Sequence, residues 1–207
     1  MAVLSLLESM KLAEKYSIEF APYSYARDDK ELESACAKIG FPVAIKLVSS
    51  TISHKTDMGG VLLDIKSTAE AKDAFAQLRK LGGFEGVVVQ KMLKGTEIII
   101  GGKQDMQFGP TILFGLGGIF VEVFRDYSIR ICPITQKDAS EMVNEIRGHK
   151  LLSGYRGKAG VDIRAIENEL LKVSRMLMQE KGIKELDINP LMATKEGVVA
   201  VDARVVV

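Results

Sequence analysis

The chain has 207 residues, 47% of them apolar, and its 28 Lys and Arg nearly balance 27 Asp and Glu, for a net charge of +1. That length supports a sizeable core in one or two domains, and the near-neutral charge excludes a nucleic-acid protein whose affinity rests on bulk basicity. No apolar run approaches the roughly 20 residues a membrane span needs.

Leu4, Leu7, Leu12 and Tyr16 predict an opening amphipathic helix, not a signal peptide, followed by an extended piece over Tyr23–Ala26. Asp28 or Asp29 caps a second helix carrying Leu32, Ala35, Cys36 and Ile39 on one face, which Gly40 and Pro42 end. A strand follows over Pro42–Val48, with Val43, Ile45 and Leu47 on one face, then a polar loop over 49–58 and a strand over Val61–Ile65. Ser67-x-x-Glu70 reads as a capping box before Ala71, Ala74, Phe75 and Leu78. Strands are expected over 86–91, 96–102, 110–115, 119–124 and 127–132, with Gly101 and Gly102 breaking one of them. Thr135-x-x-Asp138 starts a helix, and Asp162 caps a longer one on Ile163, Ile166, Leu170, Val173 and Leu177, ended by Gly182. Two strands, 184–193 and 197–205, close the chain around a turn at Lys195-Glu196-Gly197. Helices and strands mix without regular alternation, so the fold class is α+β. The balance shifts near residue 90, which suggests two intimately packed lobes. Cys36 and Cys132 make no disulfide framework and no metal spacing, so a reducing, cytoplasmic setting is expected.

Several groups carry possible chemistry. Lys46 lies inside an apolar strand, where it either snorkels from a sheet edge or holds a phosphate as a rigid point charge. The loop Ser53-His54-Lys55-Thr56-Asp57-Met58-Gly59-Gly60 joins an imidazole and an ammonium to paired glycines, whose backbone N–H groups can approach an anion closely. His54 is either surface decoration or a nucleophile toward a phosphoryl group. Glu97 either serves a site or marks a strand entry. Phe114-Gly-Leu-Gly-Gly-Ile-Phe-Val-Glu122 leads from strand to strand and not into a helix, so the dinucleotide fingerprint does not apply.

The closing hairpin carries the most physical argument. If its turn centres between Lys195 and Glu196, Asn189 faces Asp202 across the ladder with Cβ atoms about 5 Å apart. Asp187 lies two residues away on the same strand face. Two carboxylates and an amide oxygen on one face repel without a cation, and they suit Mg²⁺ shared with substrate phosphates. A salt bridge to Arg204 or Lys184 is the simpler alternative. Lysine, loop and acidic face together imply a nucleotide–Mg²⁺ site that works by positioning and electrostatics.

Phe41-Pro-Val-Ala-Ile-Lys46, Ser53-His-Lys-Thr-Asp-Met-Gly-Gly60, Phe108-Gly-Pro, Phe114–Glu122 and Asp187-Ile-Asn-Pro-Leu191 carry a resemblance. From about Tyr16 to Val207 the sequence is similar to the ATP-grasp domain of the ADP-forming acyl-CoA synthetases, in particular their β subunits. The resemblance implies an ATP-grasp fold with a lead-in over 1–20, lobes over 21–89 and 90–207, and the nucleotide site between them. It implies a reaction in which acyl-CoA, ADP and phosphate interconvert with free acid, CoA and ATP. By the same resemblance, a histidine of a CoA-binding α subunit would take the phosphoryl group, and His54 would then carry it to ADP. Lys46, Lys55, Gly59 and Gly60 would meet the nucleotide phosphates. Backbone groups of Lys91, Met92 and Leu93 would meet the adenine in the hinge, and Gln90 would belong to the same nucleotide site. Glu97 would serve the nucleotide, and Asp187, Asn189 and Asp202 would hold Mg²⁺. The hinge in this family usually reads Gln-Glu-Met, so Lys91 cannot repeat a ribose contact made by that glutamate. No CoA-binding fold is evident, so an α2β2-type hetero-oligomer is expected. The alternative is a regulatory nucleotide-binding module without catalysis.

Overall fold

The computed structural model describes residues 2–49, 58–118, 125–155, 157 and 159–207. In chain order the elements are α1 (Leu6–Glu14), β1 (Tyr23–Ala26), α2 (Asp29–Ile39), β2 (Val43–Val48), β3 (Val61–Ile65), α3 (Thr68–Leu78), β4 (Gly86–Lys91) and β5 (Thr96–Asp105). They continue as β6 (Gly109–Leu116), β7 (Tyr127–Ile131), α4 (Gln136–Glu145), α5 (His149–Ser153), α6 (Ile163–Gln179), β8 (Glu185–Ala193), β9 (Val198–Ala200) and β10 (Arg204–Val206). The chain forms two compact units, one of Ala21–Leu93 with Ser5–Leu7, the other of Glu8–Phe20 and Lys94–Val207 with the N-terminal tip. Among the described residues no helix is long and apolar enough to cross a membrane.

The smaller unit is an antiparallel sheet in the order β1-β4-β2-β3. Alternation along its strands sends Val43, Ile45, Leu47, Val87 and Val89 to the helical side. There they pack on Leu32, Ala35 and Cys36 of α2 and Ala71, Ala74, Phe75 and Leu78 of α3. Both helices begin where a side chain satisfies a free N–H group. Asp28 accepts from the Glu31 N–H at 2.8 Å, and Ser67 from the Glu70 N–H at 3.2 Å. Gly40 closes α2 at a φ of 71°, which glycine adopts without a Cβ clash.

The larger unit holds the antiparallel sheet β10-β8-β5-β6-β7, with β9 also paired to β8. One face packs Ile98, Ile100, Ile112 and Phe114 against Met142 and Val143 of α4 and against Ile166, Leu170, Val173 and Leu177 of α6. Thr135 and Asp138 form the expected capping box at α4, and Asp162 caps α6. The expected break at Gly101–Gly102 does not occur, because β5 runs through both. Gly102 is a packing requirement instead, since a Cβ there would meet Leu177 Cδ1 at 2.6 Å. Short α5 has no periodicity to announce it; Asp126 holds its start by accepting from the Arg147 and Gly148 N–H groups at 2.8 and 2.7 Å. The strand expected over 119–124 lies outside the described residues.

The closing hairpin keeps the expected register. Leu191 faces Ala200, Ala193 faces Val198, and Asp187 faces Arg204, which centres the turn between Lys195 and Glu196. The expected strand over 197–205 is nevertheless two strands, interrupted at 201–203. Two residues of β8, Asn189 and Pro190, stand against Ile99 alone in β5, so a bulge lies at this level. Burial then switches from Leu186 and Ile188 to Leu191 and Ala193.

Phe75 is buried and meets Phe84 edge to face, with ring centroids 5.5 Å apart. Phe75→Ala should therefore cost about 3–5 kcal/mol through lost burial and the cavity left behind. Urea unfolding would show a lower midpoint for the transition that reports the smaller unit; an unmoved midpoint would contradict this packing.

Candidate functional site

In the smaller unit the polar residues gather on the sheet face away from α2 and α3. Lys46 stands between Val61 of β3 and Val88 of β4, and Gln90 stands between Tyr23 of β1 and Ala44 of β2. Because β2 is an inner strand, the snorkelling edge lysine considered from the sequence is excluded. Lys46 is 3% exposed and Gln90 only 1%. Both the Oε1 and the Nε2 of Gln90 are buried without a hydrogen-bond partner among the described residues. A buried amide in that state costs about 1–3 kcal/mol, so a donor–acceptor ligand edge would be stabilising there.

Gly59 has a φ of 69°, and the Gly60 carbonyl accepts from the Leu47 N–H at 2.8 Å, so the glycine pair joins the loop to the β2–β3 ladder. His54 and Lys55 lie outside the described residues. At the end of β4, Lys91 is turned away from a ligand role for its side chain. Its Nζ donates to the carbonyls of Gly40 at 2.8 Å and Phe41 at 3.1 Å. The Lys91 N–H donates to Pro22 O, and the Met92 N–H donates to Pro42 O at 3.3 Å. Leu93 follows half-buried.

In the larger unit, Asp187 and Asn189 sit on the face of β8 away from the helices, since Leu186 and Ile188 fill the core. The Asn189 N–H donates to Asp202 O at 3.3 Å, so these two residues do stand opposite each other. Burial first, and then the Asp202 carboxylate, push the Asp187 carboxyl up to about 6, while Arg204 pulls it down. Between Asp187 and Arg204 no salt bridge forms among the described residues. Asp187 Oδ1 and Arg204 Nε are both buried without a hydrogen-bond partner among the described residues. Among the described residues no three His, Cys, Asp or Glu side chains make a metal cage. Two carboxylates and an amide fit Mg²⁺, which takes few protein oxygens and completes its shell with water and phosphate. The orphaned Oδ1 is the observation that favours such a fit.

Glu97 is exposed at the start of β5, with its carbonyl accepting from the Gly117 N–H at 2.8 Å. Gly117 and Gly118 leave room for it, since a Cβ on Gly118 would meet Glu97 Oε2 at 2.8 Å. These residues, with Leu116 and Leu151, line a depression of about 420 Å³. Sequence reasoning missed the apolar floor beside Asp187. Ile99, Leu113 and Ile129 line a second depression of about 400 Å³ with Gly101, Asp187 and Arg204. In β7 the usual arrangement is inverted: Tyr127, Ile129 and Ile131 are exposed, whereas Arg130 turns to Glu145 of α4. Alternation along β7 was the available signal, but without the strand order it does not say which face is the open one.

Residues 1–207 match the family model described as ATP-grasp domain. Over 207 residues the chain is 40% identical to the β subunit of acetate–CoA ligase [ADP-forming] I from Pyrococcus furiosus, covering 96% of this chain and 89% of that subunit. It is 43% identical to acetate–CoA ligase [ADP-forming] II from Archaeoglobus fulgidus, covering 97% of this chain but only 30% of that longer protein. Acetyl-coenzyme A synthetase 1 of Ca. Korarchaeum cryptofilum, solved with coenzyme A and Ca-AMPCP, superposes with a TM-score of 0.94 at 38% identity, over 100% of this chain and 93% of that one. The same synthetase, solved with Mg-AMPPCP and its phosphohistidine segment pointing towards the nucleotide-binding site, superposes at 0.87 with 37% identity over the same shares.

The raised Asp187 carboxyl carries a stability consequence. The folded chain keeps that proton between about pH 4 and 6, where the unfolded chain has released it, so this group's contribution falls as pH rises through the window. Asp187→Asn should stabilise the nucleotide-free chain by up to about 3 kcal/mol at pH 7.5 and by little at pH 4. Urea titrations at the two pH values measure the difference, and carboxyl NMR should show Asp187 titrating lower in Asp202→Asn.

Proposed function

The chain belongs to the ATP-grasp domains of the ADP-forming acyl-CoA synthetases, and on that premise we propose that it works as a phosphoryl-transferring β subunit. The whole reaction would convert acyl-CoA, ADP and phosphate to free acid, CoA and ATP. The observation that carries the reading is the buried, unpartnered Oδ1 of Asp187 beside Asp202 and Asn189, an arrangement that favours a hard cation with its nucleotide.

In this proposal His54 holds the phosphoryl group as a phosphohistidine. A terminal oxygen of ADP attacks phosphorus and forms the new P–O bond as the P–N bond breaks. The electron pair stays on the imidazole nitrogen, which takes up a proton. Lys46 and Lys55 offset charge on the phosphates as point cations, and the backbone at Gly59 and Gly60 approaches them closely. Gln90 offers its amide to the purine edge, with backbone groups of Lys91, Met92 and Leu93 beside it, and Glu97 serves the nucleotide. Asp187, Asn189 and Asp202 would hold Mg²⁺, which when bound neutralises charge on the transferring phosphates. Mg-AMPPCP in the Korarchaeum synthetase supports this choice of nucleotide and metal.

A CoA-binding α subunit in an α2β2-type assembly completes the proposal. The chain's match to only 30% of the longer Archaeoglobus ligase supports a need for further domains or a partner. The cytoplasm is the proposed setting, and the free, buried thiols of Cys36 and Cys132 suit its reducing chemistry.

Incubation of the chain with Mg·ATP, or with α subunit and acyl phosphate, should leave acid-labile, base-stable phosphate on it. His54→Ala should abolish that label, and Lys46→Met should lower it by about tenfold or more. Equal labelling of His54→Ala and the parent would remove the carrier role. Nucleotide binding with no label on either would favour the regulatory module instead.

A further inference from the structure

The side chain of Lys91 does something other than meet a ligand. β4 ends at Lys91, where it stands opposite Val43, the first residue of β2. Beyond that point the segment leaves the sheet, and the Met92 N–H still donates to Pro42 O at 3.3 Å. The turn it reaches, Gly40-Phe41-Pro42, has a shortage of donors. Gly40 already gives its N–H to Cys36 O, and Pro42 has none. The carbonyls of Gly40 and Phe41, just past the negative end of the α2 dipole, therefore need a donor from elsewhere in the chain.

Lys91 meets that need with its ammonium, 2.8 Å from Gly40 O and 3.1 Å from Phe41 O. Charge-assisted bonds of this kind are stronger than the neutral Met92 contact and bind the strand end at a second point. Two attachments made by consecutive residues on one turn restrict both the position and the twist of the chain that follows. We propose that Lys91 is a positioning residue, its ammonium clamped on the α2–β2 turn so that the backbone of Met92 and Leu93 is preset for the nucleotide. This rests on the function proposed above only for the identity of the ligand; the clamp itself belongs to the free chain.

Three versions of the full chain test the idea: the parent, Lys91→Met and Lys91→Arg. Methionine keeps an apolar stem of similar length and removes the donor, whereas arginine keeps donors that reach both carbonyls. Hydrogen exchange at the Met92 and Leu93 amides should quicken by about tenfold in Lys91→Met without nucleotide, and return towards the parent in Lys91→Arg. The Kd for Mg·ADP, measured by calorimetry, should weaken by about tenfold in Lys91→Met and recover in Lys91→Arg. A purely structural cap predicts lower thermal stability with an unchanged Kd, and that result overturns the proposal. Unchanged exchange at Met92 and Leu93 overturns it as well. Failure of the parent to bind Mg·ADP would instead refute the proposed function, and with it the ligand that Lys91 is said to serve.

Discussion

A carboxylate withdrawn from water beside a second carboxylate is unfavourable on its own, and the larger unit holds one. Helices α4 and α6 occupy one face of its sheet, so the other face is left for residues that the core does not need. The hairpin of β8 with β9 and β10 places Asp187, Asn189 and Asp202 there, on apolar strands that limit their hydration. Arg204 lies opposite Asp187, yet Asp187 Oδ1 has no hydrogen bond among the described residues. Folding gains nothing from such a cluster, because burial of one acid beside another raises its pKa and lowers stability above it. In the proposed function a cation bound there would reverse that electrostatic penalty.

The smaller unit carries buried polar groups in its own sheet. Lys46 is a buried lysine in an inner strand, and Gln90 is a buried amide with neither end hydrogen-bonded among the described residues. Both lie on the face opposite α2 and α3, where alternation puts every second residue of β2 and β4. This accounts for a net charge of only +1 in a chain proposed to handle polyphosphates. A few rigid charges in low dielectric act more strongly than a diffuse basic surface, and they discriminate by geometry. The glycines follow a related logic only in part: Gly117 and Gly118 make room for Glu97, whereas Gly102 makes room for Leu177 in the core.

Much of the architecture was legible along the chain. Asp28, Ser67, Thr135 and Asp162 each bond the N–H three residues ahead, a reach that depends on adjacent residues alone. The closing hairpin was legible for a similar reason, since a short turn sets register and register sets which side chains share a face. It stayed in step even across the interruption at 201–203, so that Asp187 and Arg204 still pair. The edge-lysine alternative for Lys46, the break at Gly101–Gly102 and the absence of α5 from the predicted elements each failed where a residue's partner comes from far along the chain. Lys91 belongs with these, because its clamp joins positions about fifty residues apart.

Caps, helix faces and hairpin register follow from contacts that close within a few residues, so amino-acid order alone settles them, and with them the convergence of the acidic face. Strand order comes only from packing distant segments together. That order placed β2 inside its sheet, turned the apolar side chains of β7 outward, and buried Asp187 Oδ1 and the Gln90 amide without partners among the described residues. Loss of water is a property of a residue's neighbours in space. The chemistry of this chain therefore became visible in its residue types, and its strength was set when the sheets assembled around them.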